Sequence, residues 1–367
     1  MMKYTDTPVS DKSGAKLFKA VKDRDRKTLQ DMLSEGADPN IPDTGGELPL
    51  TRTIFNRDLG TALILLEHGA DPNIPDSRGL YPLLYAASTD HSIQMTELLL
   101  NYGADIECRD LTGRTPLLFS FIHDRKLITR FLIESGADVK AHDNYGDTAL
   151  HAVSNNDYDG KMAEEIASLL IEKGADINAV NDDGDTPLIS AACRARDDIV
   201  SVLLEHGADI TKRDNKFTDA LTWASSAANT EAAKLLLAAG ADPDVFNADG
   251  RTPLMKAALN GYMHLVRKLI QAGADPFRLD VSGNGSLHYA AISGSVTAIK
   301  ILVRTGCDLY LPNYSGETPF TLFHRHNPDK FFRHIDGIVA EAKRISSARL
   351  IREDRKKSDN TGYEFDI

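Results

Sequence analysis

A tripeptide, Gly-Ala-Asp, recurs at Gly36, Gly69, Gly103, Gly136, Gly174, Gly207, Gly240 and Gly273, and a ninth copy reads Gly306-Cys307-Asp308. Successive copies lie 33, 34, 33, 38, 33, 33, 33 and 33 residues apart. A near-constant period of this length is the mark of a stacked array of like units. A unit this small cannot bury an apolar face by itself, so each must pack on its neighbours.

A second signal follows each copy: Asp110-Leu-Thr-Gly-Arg-Thr-Pro-Leu117, Asn181-Asp-Asp-Gly-Asp-Thr-Pro-Leu188 and Asn247-Ala-Asp-Gly-Arg-Thr-Pro-Leu254. Asp or Asn at the head can bond its own backbone, and Gly accepts positive φ, so Asp-x-x-Gly predicts a turn. Thr then caps the N–H groups of a starting helix, and Pro stands at its first position, where a missing N–H costs nothing. A short apolar helix follows, as in Leu254-Met-Lys-Ala-Ala258, whose alanines allow close helix approach. A second apolar run, such as Leu265-Val-Arg-Lys-Leu-Ile270, ends at the Gly of Gly-Ala-Asp, a helix stop. One unit is turn, helix, turn, helix.

This pattern resembles the ankyrin repeat, a unit of 33 residues with the signature Thr-Pro-Leu-His-x-Ala. The resemblance covers about Asp11 to Lys343 and implies an all-α ankyrin-repeat solenoid of about ten stacked helix-turn-helix units, caps included. The Pro position holds Pro49, Pro82, Pro116, Pro187, Pro253 and Pro319; Ala149, Ala220 and Ser286 depart from it. The signature His occurs only as His151 and His288, where it is expected to bond neighbouring turns. Asp214 to Ala239 lacks both the Pro and the turn Gly, which Phe217 replaces. That repeat is the expected weak joint, and unfolding in more than one step is expected to begin there.

The ends should differ from the middle, because the outermost units face water. Residues 1–12 are expected to be a flexible N-terminus and 13–42 an N-terminal cap, with internal repeats over 43–312. Residues 313–343 form the expected C-terminal capping repeat, with Phe331 and Phe332 covering the last apolar face. A basic, polar tail occupies 344–367. Between Lys343 and Lys357 it carries seven basic residues against Glu353 and Asp354. The 38-residue interval places an insertion around Asn155–Lys161, expected as a surface loop between two helices.

Composition closes off other classes. No run of about 18 apolar residues exists, and the polar N-terminus has no apolar stretch of the kind a secretory signal carries. Cys108, Cys193 and Cys307 are too far apart for a disulfide framework or a zinc spacing, which suits a reducing, cytoplasmic setting. A net charge of −12 argues against direct nucleic-acid or membrane binding. No phosphate loop, dinucleotide fingerprint, His-Glu-x-x-His or nucleophile elbow is present. Neither a catalytic residue nor a cofactor is expected. An enzyme or metal-binding subunit in the C-terminal unit stays open as an alternative through His324, His326 and His334. Their spacing is irregular for a metal.

What remains is surface. The resemblance implies that turn tips and the exposed side of the first helix form a concave face where a protein partner binds. Residues at those positions change from unit to unit while the scaffold repeats. Arg114, Tyr145, Asp147, Asp183, Asp185, Arg194, Lys216 and Arg251 are the candidate partner-binding residues. Between Asp143 and Asp209 there are 15 acidic and 4 basic residues, which carries nearly all of the net charge. Asp147, Asp183 and Asp185 recur about one repeat apart, and stacking is expected to align them in a row. The partner is therefore expected to present a basic surface. A narrower alternative is an acidic decoy that inhibits a basic protein, for example one that binds nucleic acid.

Overall fold

A computed structural model of the chain describes residues 12–89, 93–155 and 160–360. The chain divides into two compact units, Met1–Asp182 and Asp183–Ile367. The first contains five helix pairs: α1 (Lys12–Asp23) with α2 (Arg26–Ser34), α3 (Pro49–Asn56) with α4 (Leu59–Glu67), α5 (Pro82–Ser88) with α6 (Ile93–Asn101), α7 (Pro116–Ile122) with α8 (Lys126–Glu134), and α9 (Ala149–Asn155) with α10 (Gly160–Glu172). The second contains five more: α11 (Pro187–Cys193) with α12 (Asp197–Glu205), α13 (Ala220–Ser226) with α14 (Thr230–Ala238), α15 (Pro253–Leu259) with α16 (Met263–Gln271), α17 (Ser286–Ser293) with α18 (Val296–Arg304), and α19 (Pro319–His326) with α20 (Pro328–Asn360). Within each unit the odd-numbered helices pack side by side as an inner layer and the even-numbered ones as an outer layer. Among the described residues there is no strand beyond single bridging pairs such as His142 with Thr148. Each unit has the all-α fold of stacked helix pairs that the resemblance implied.

Each inner helix is started by the residues that announced it. Thr115, Thr186, Thr252 and Thr318 cap theirs, each accepting from the backbone N–H three residues on, with Pro at the next position. The Leu that follows is buried in every pair that has it, as at Leu83, Leu117, Leu188 and Leu254. Burying such a side chain is worth about 1.5–3 kcal/mol. In the first unit Leu50 and Leu83 join Leu17, Val21, Leu29, Leu65 and Leu99 in a core that runs between the two layers.

The turns are held by one atom. Asp76 Oδ1 accepts from the N–H groups of Arg78 (2.9 Å) and Leu80 (3.0 Å). Asp110, Asp143, Asp214, Asn247, Asp280 and Asn313 repeat this pair of bonds. Main chain then stitches turn to turn. Asn144 N–H donates to Thr112 C=O (2.9 Å) in the first unit, and Asn215 N–H to Asp183 C=O (3.0 Å) in the second. This close approach explains the turn Gly. A Cβ on Gly184, at φ +82°, would lie 2.5 Å from the backbone nitrogen of Asn215.

The insertion corrects an expectation. Four of its five residues lengthen α10, which has 13 residues where the other internal outer helices have nine. About one added helical turn, and not a long loop, absorbs the extra length. Residues 156–159, within the expected loop, lie outside the described residues, as do residues 1–11 of the N-terminus expected to be flexible over 1–12, whose last residue, Lys12, opens α1.

The divergent repeat is rebuilt with other chemistry. Phe217 takes the turn-Gly position at φ +58°, and Ala228 stands between α13 and α14 at φ +62°. Asp219 replaces Thr as the cap of α13, its carboxylate accepting from Thr222 N–H at 2.8 Å. Trp223 Nε1–H donates to Asp214 Oδ2 (2.9 Å) and braces the turn from the helix side. Left-handed backbone costs an L-residue roughly 1–2 kcal/mol; Ala228 shares that cost with Arg24, Arg57, Asp124 and Ala195 between other helix pairs, so the strain particular to this repeat lies at Phe217.

At the C-terminal end Phe331 is buried against Phe320, Phe323 and His324, with ring centroids 4.8–5.7 Å apart. Its neighbour Phe332 does not share the covering role expected of the pair, since it is 69% exposed. α20 runs on past residue 344, where the tail was expected to begin, so that the first part of the tail is a helical extension of the last unit. Arg304 of α18 holds it through an ion pair to Glu341 (2.9 Å).

Two stability predictions follow from the divergent repeat. Phe217→Gly relieves a strained φ and is expected to raise stability by about 1 kcal/mol, whereas Gly184→Ala lowers it by at least that much. Urea midpoints measure both, and a lower midpoint for Phe217→Gly refutes the strain. Burial pushes the Asp219 carboxyl above its ordinary value of 3.8, against the hydrogen bonds from Thr222 that pull it down. The folded state thus favours the protonated acid. The penalty for its charge is absent below pH 3.8 and is imposed as pH rises through the folded-state value. Asp219→Asn keeps the capping oxygen and removes that charge. It is expected to be more stable than the parent at pH 7, with the gap closing near pH 4; an equal gap at both would refute the linkage.

Candidate partner-binding surface

Counting from the head of a turn locates two sides of each inner helix. Seven residues on stands the buried Leu, and nine on stands a side chain that varies from repeat to repeat. In the first unit the ninth positions hold Arg52, Tyr85, Phe119 and Ala152; in the second, Ser190, Trp223, Lys256, Tyr289 and Leu322. Tyr85, Ser190, Tyr289 and Leu322 are buried and the others half-buried. The sequence reading passed over these positions, which are set by helix periodicity.

Three of them are tied to their own turn. The Tyr85 hydroxyl donates to Asp76 Oδ2 (2.6 Å), and Arg78 lies over the Tyr85 ring and donates to its oxygen. Tyr289 donates to Asp280 in the same way, and Arg251 Nε–H donates to the Tyr289 oxygen at 2.9 Å. Trp223 and Asp214 form the third such pair. Burial first, then the bond to Asp280, pushes the Tyr289 phenol up to about 12. It is a fixed donor at neutral pH. The signal that could have found these residues is a Tyr or Trp nine places after a turn Asp.

The candidates read from sequence divide between the units. In the first, the Arg114 guanidinium lies 3.9 Å from Asp143 Oδ2. Asp147 accepts from the Asn181 side-chain amide at 2.8 Å. Tyr145 projects from its turn at 60% exposure. Arg114 and Asp147 come together on a cleft of about 320 Å³, with Leu118, Phe121, Ile122 and Ala152 as its apolar lining. Tyr145 is not among the lining residues.

In the second unit Asp183 is exposed, Asp185 half-buried and Lys216 exposed at successive turns. Arg194 stands exposed at the end of α11. Arg251 is the most constrained of the eight, stacked on Tyr289 at 5.4 Å and within 4 Å of Asp249 and Asp280. Asp147 belongs to one unit and Asp183 and Asp185 to the other.

The residues weighed for chemistry have structural partners. His151 Nδ1 accepts from Thr148 N–H (3.2 Å), and His288 Nδ1 from Gly285 N–H (3.1 Å). Each serves its own helix start, and His288 also meets the backbone of Leu311 and Glu317 in the next turn, as expected of it. His324 packs its ring edge against Phe331 and Phe332. Among the described residues no group of three or more His, Cys, Asp or Glu is placed to hold a metal ion. Burial raises the thiol of Cys193, and pushes Cys108 up to about 12 and Cys307 up to about 11. These are poor conditions for a thiolate nucleophile. No helix among the described residues is long and apolar enough to cross a membrane.

Comparison with known proteins agrees with this geometry. The family model for ankyrin repeats, described as three copies, matches residues 17–110, 91–179, 128–214 and 221–313. A search of curated proteins found no match. Ankyrin repeats generally mediate protein–protein interaction and typically serve as non-enzymatic scaffolds. With the family model covering most of its length, and with the turns, caps and paired helix layers in place, the chain belongs to the ankyrin-repeat family.

Proposed function

We propose that the chain is a non-catalytic scaffold that binds a protein partner through its turn tips and inner-helix face. One observation carries this reading. The seventh position after the turn head is Leu in eight of nine turns, whereas the ninth runs through Arg52, Tyr85, Phe119, Ala152, Ser190, Trp223, Lys256, Tyr289 and Leu322. Packing explains the first series. In the second, Tyr85, Ser190, Tyr289 and Leu322 are buried and the other five half-buried, while the turn tips beside them carry the exposed Leu111, Tyr145, Phe217, Val281 and Tyr314. Side chains that vary on a constant frame are what reading one particular partner requires, and Arg, Tyr and Trp are the residues that most often anchor such contacts. The three separated cysteines, two of them buried, suit a reducing compartment such as the cytoplasm.

The excess of 15 acidic over 4 basic residues between Asp143 and Asp209 supports a partner with a basic surface. Such charge acts mainly by steering association. It also supports the narrower reading of an acidic decoy for a basic groove. Under that reading a polyanion such as heparin competes with the chain for its partner.

Photo-crosslinking tests the face. A benzophenone amino acid at Leu111 or Lys256 is expected to capture a partner from host extract, while the same group on the outer helices at Leu127 or Lys234 captures none. The reverse pattern would move binding to the outer layer. With the captured partner in hand, Asp147→Asn, Asp183→Asn and Asp185→Asn together are expected to slow association several-fold at low salt and to flatten its salt dependence. Helicity and dissociation rate should change little. Unchanged association rates would place the steering charge elsewhere.

A further inference from the structure

The inner face of the first unit has one gap. Arg52, Tyr85 and Phe119 occupy the ninth position in three successive repeats, and Ala152 occupies it in the fourth. A methyl group cannot fill the space that an aromatic ring fills one repeat earlier, and the cleft of about 320 Å³ opens there. Leu118 and Phe121 line it although both are otherwise buried, and Ile122 stands beside them 52% exposed. An inserted apolar side chain would cover Ile122 and the half-buried Ala152, with Leu118 and Phe121 behind them, and it is the area of the first two removed from water that is favourable.

The charge at the rim is unbalanced. Arg114 is offset by Asp143 at 3.9 Å. Asp147 faces only the neutral Asn181 amide as a side-chain donor, and among the described residues no cation pairs with it. The surrounding segment of the same unit, residues 143–182, has nine acidic residues and two basic ones. A chain that enters the cleft therefore meets an apolar floor and, next to it, a carboxylate that lacks a cation.

We propose that this cleft is the docking site for a linear segment of the partner that carries one large apolar side chain with a Lys or Arg beside it. The apolar group packs against Ala152 and Phe121, and the cation faces Asp147. This rests on the reading of the inner face as the protein-binding surface, and it specifies what the partner must present there. The volume lies at the low end of the range of ligand pockets, about 300–1,000 Å³, which suits one anchoring side chain.

A display library of random linear peptides, selected on the full chain, supplies the probe. The enriched peptides are expected to share an apolar residue adjacent to Lys or Arg. Fluorescence anisotropy then compares their binding to variants of known helicity. Ala152→Phe fills the cleft with the residue already present at the equivalent Phe119 and is expected to weaken binding about tenfold or more. Asp147→Asn is expected to weaken it several-fold and to reduce its salt dependence, and it decides the matter should Ala152→Phe fail to fold. Lys234→Ala, on the outer helix α14 of the second unit, is expected to have no effect. No enrichment, enriched peptides without the apolar–basic pair, or undiminished binding to folded Ala152→Phe would each overturn the proposal. Binding lost in Lys256→Ala and kept in Ala152→Phe would remove this cleft as the site while leaving the inner face as the binding surface.

Discussion

One oxygen atom at the head of each turn organises the fold. By accepting from the N–H groups two and four residues later, Oδ1 of Asp76, Asp143 or Asp280 closes a loop that would otherwise leave two backbone donors unpaired. The closed loop aims the next residues into a helix start. Where Asn stands at the head, as at Asn247 and Asn313, the amide oxygen does the same work without charge. Removing the acceptor loosens the turn, the cap and the bond to the next turn together, because each relies on the geometry of the one before.

The second carboxylate oxygen accounts for a difference between repeats. An Asp has it to spare and an Asn does not. Asp76, Asp214 and Asp280 use it to accept from Tyr85, Trp223 and Tyr289. Turns headed by Asn247 and Asn313 have Lys256 and Leu322 at the same place, neither bonded to the head. Turn chemistry and surface chemistry are thus coupled through one side chain: the choice of Asp or Asn helps decide whether an aromatic group is pinned on the inner face.

The frame was legible in the sequence because its causes are local. A period, a turn signal, a capping Thr and a Pro at the helix start each act within a few residues, and the helices begin at Pro116, Pro187 and Pro253 as read. What escaped notice depends on neighbours or on backbone angle. No residue type announced that Arg57, Ala195 and Ala228 would take positive φ between paired helices. The insertion near Asn155 looked like a loop because Asn, Asp and Gly favour turns, yet most of its length became helix in α10. The cleft beside Ala152 exists only because a small residue follows large ones in the same register, a relation visible only once the repeats are aligned on their turn heads.

The turn tips are joined to one another by main-chain bonds, as between Asn144 and Thr112 or Tyr314 and Ser282, to which a few side chains such as Asn144, Asn181 and Asn313 add bonds of their own. The main-chain part of that seam needs no other tip side chain, only the glycine that lets neighbouring segments of chain come close. Heritable change at a tip is therefore released from the duty of holding the array together. Leu111, Tyr145, Val281 and Tyr314 can be exchanged for other residues and the seam persists. A lineage carrying this scaffold can retune what it recognises one repeat at a time, and selection on stability offers little resistance.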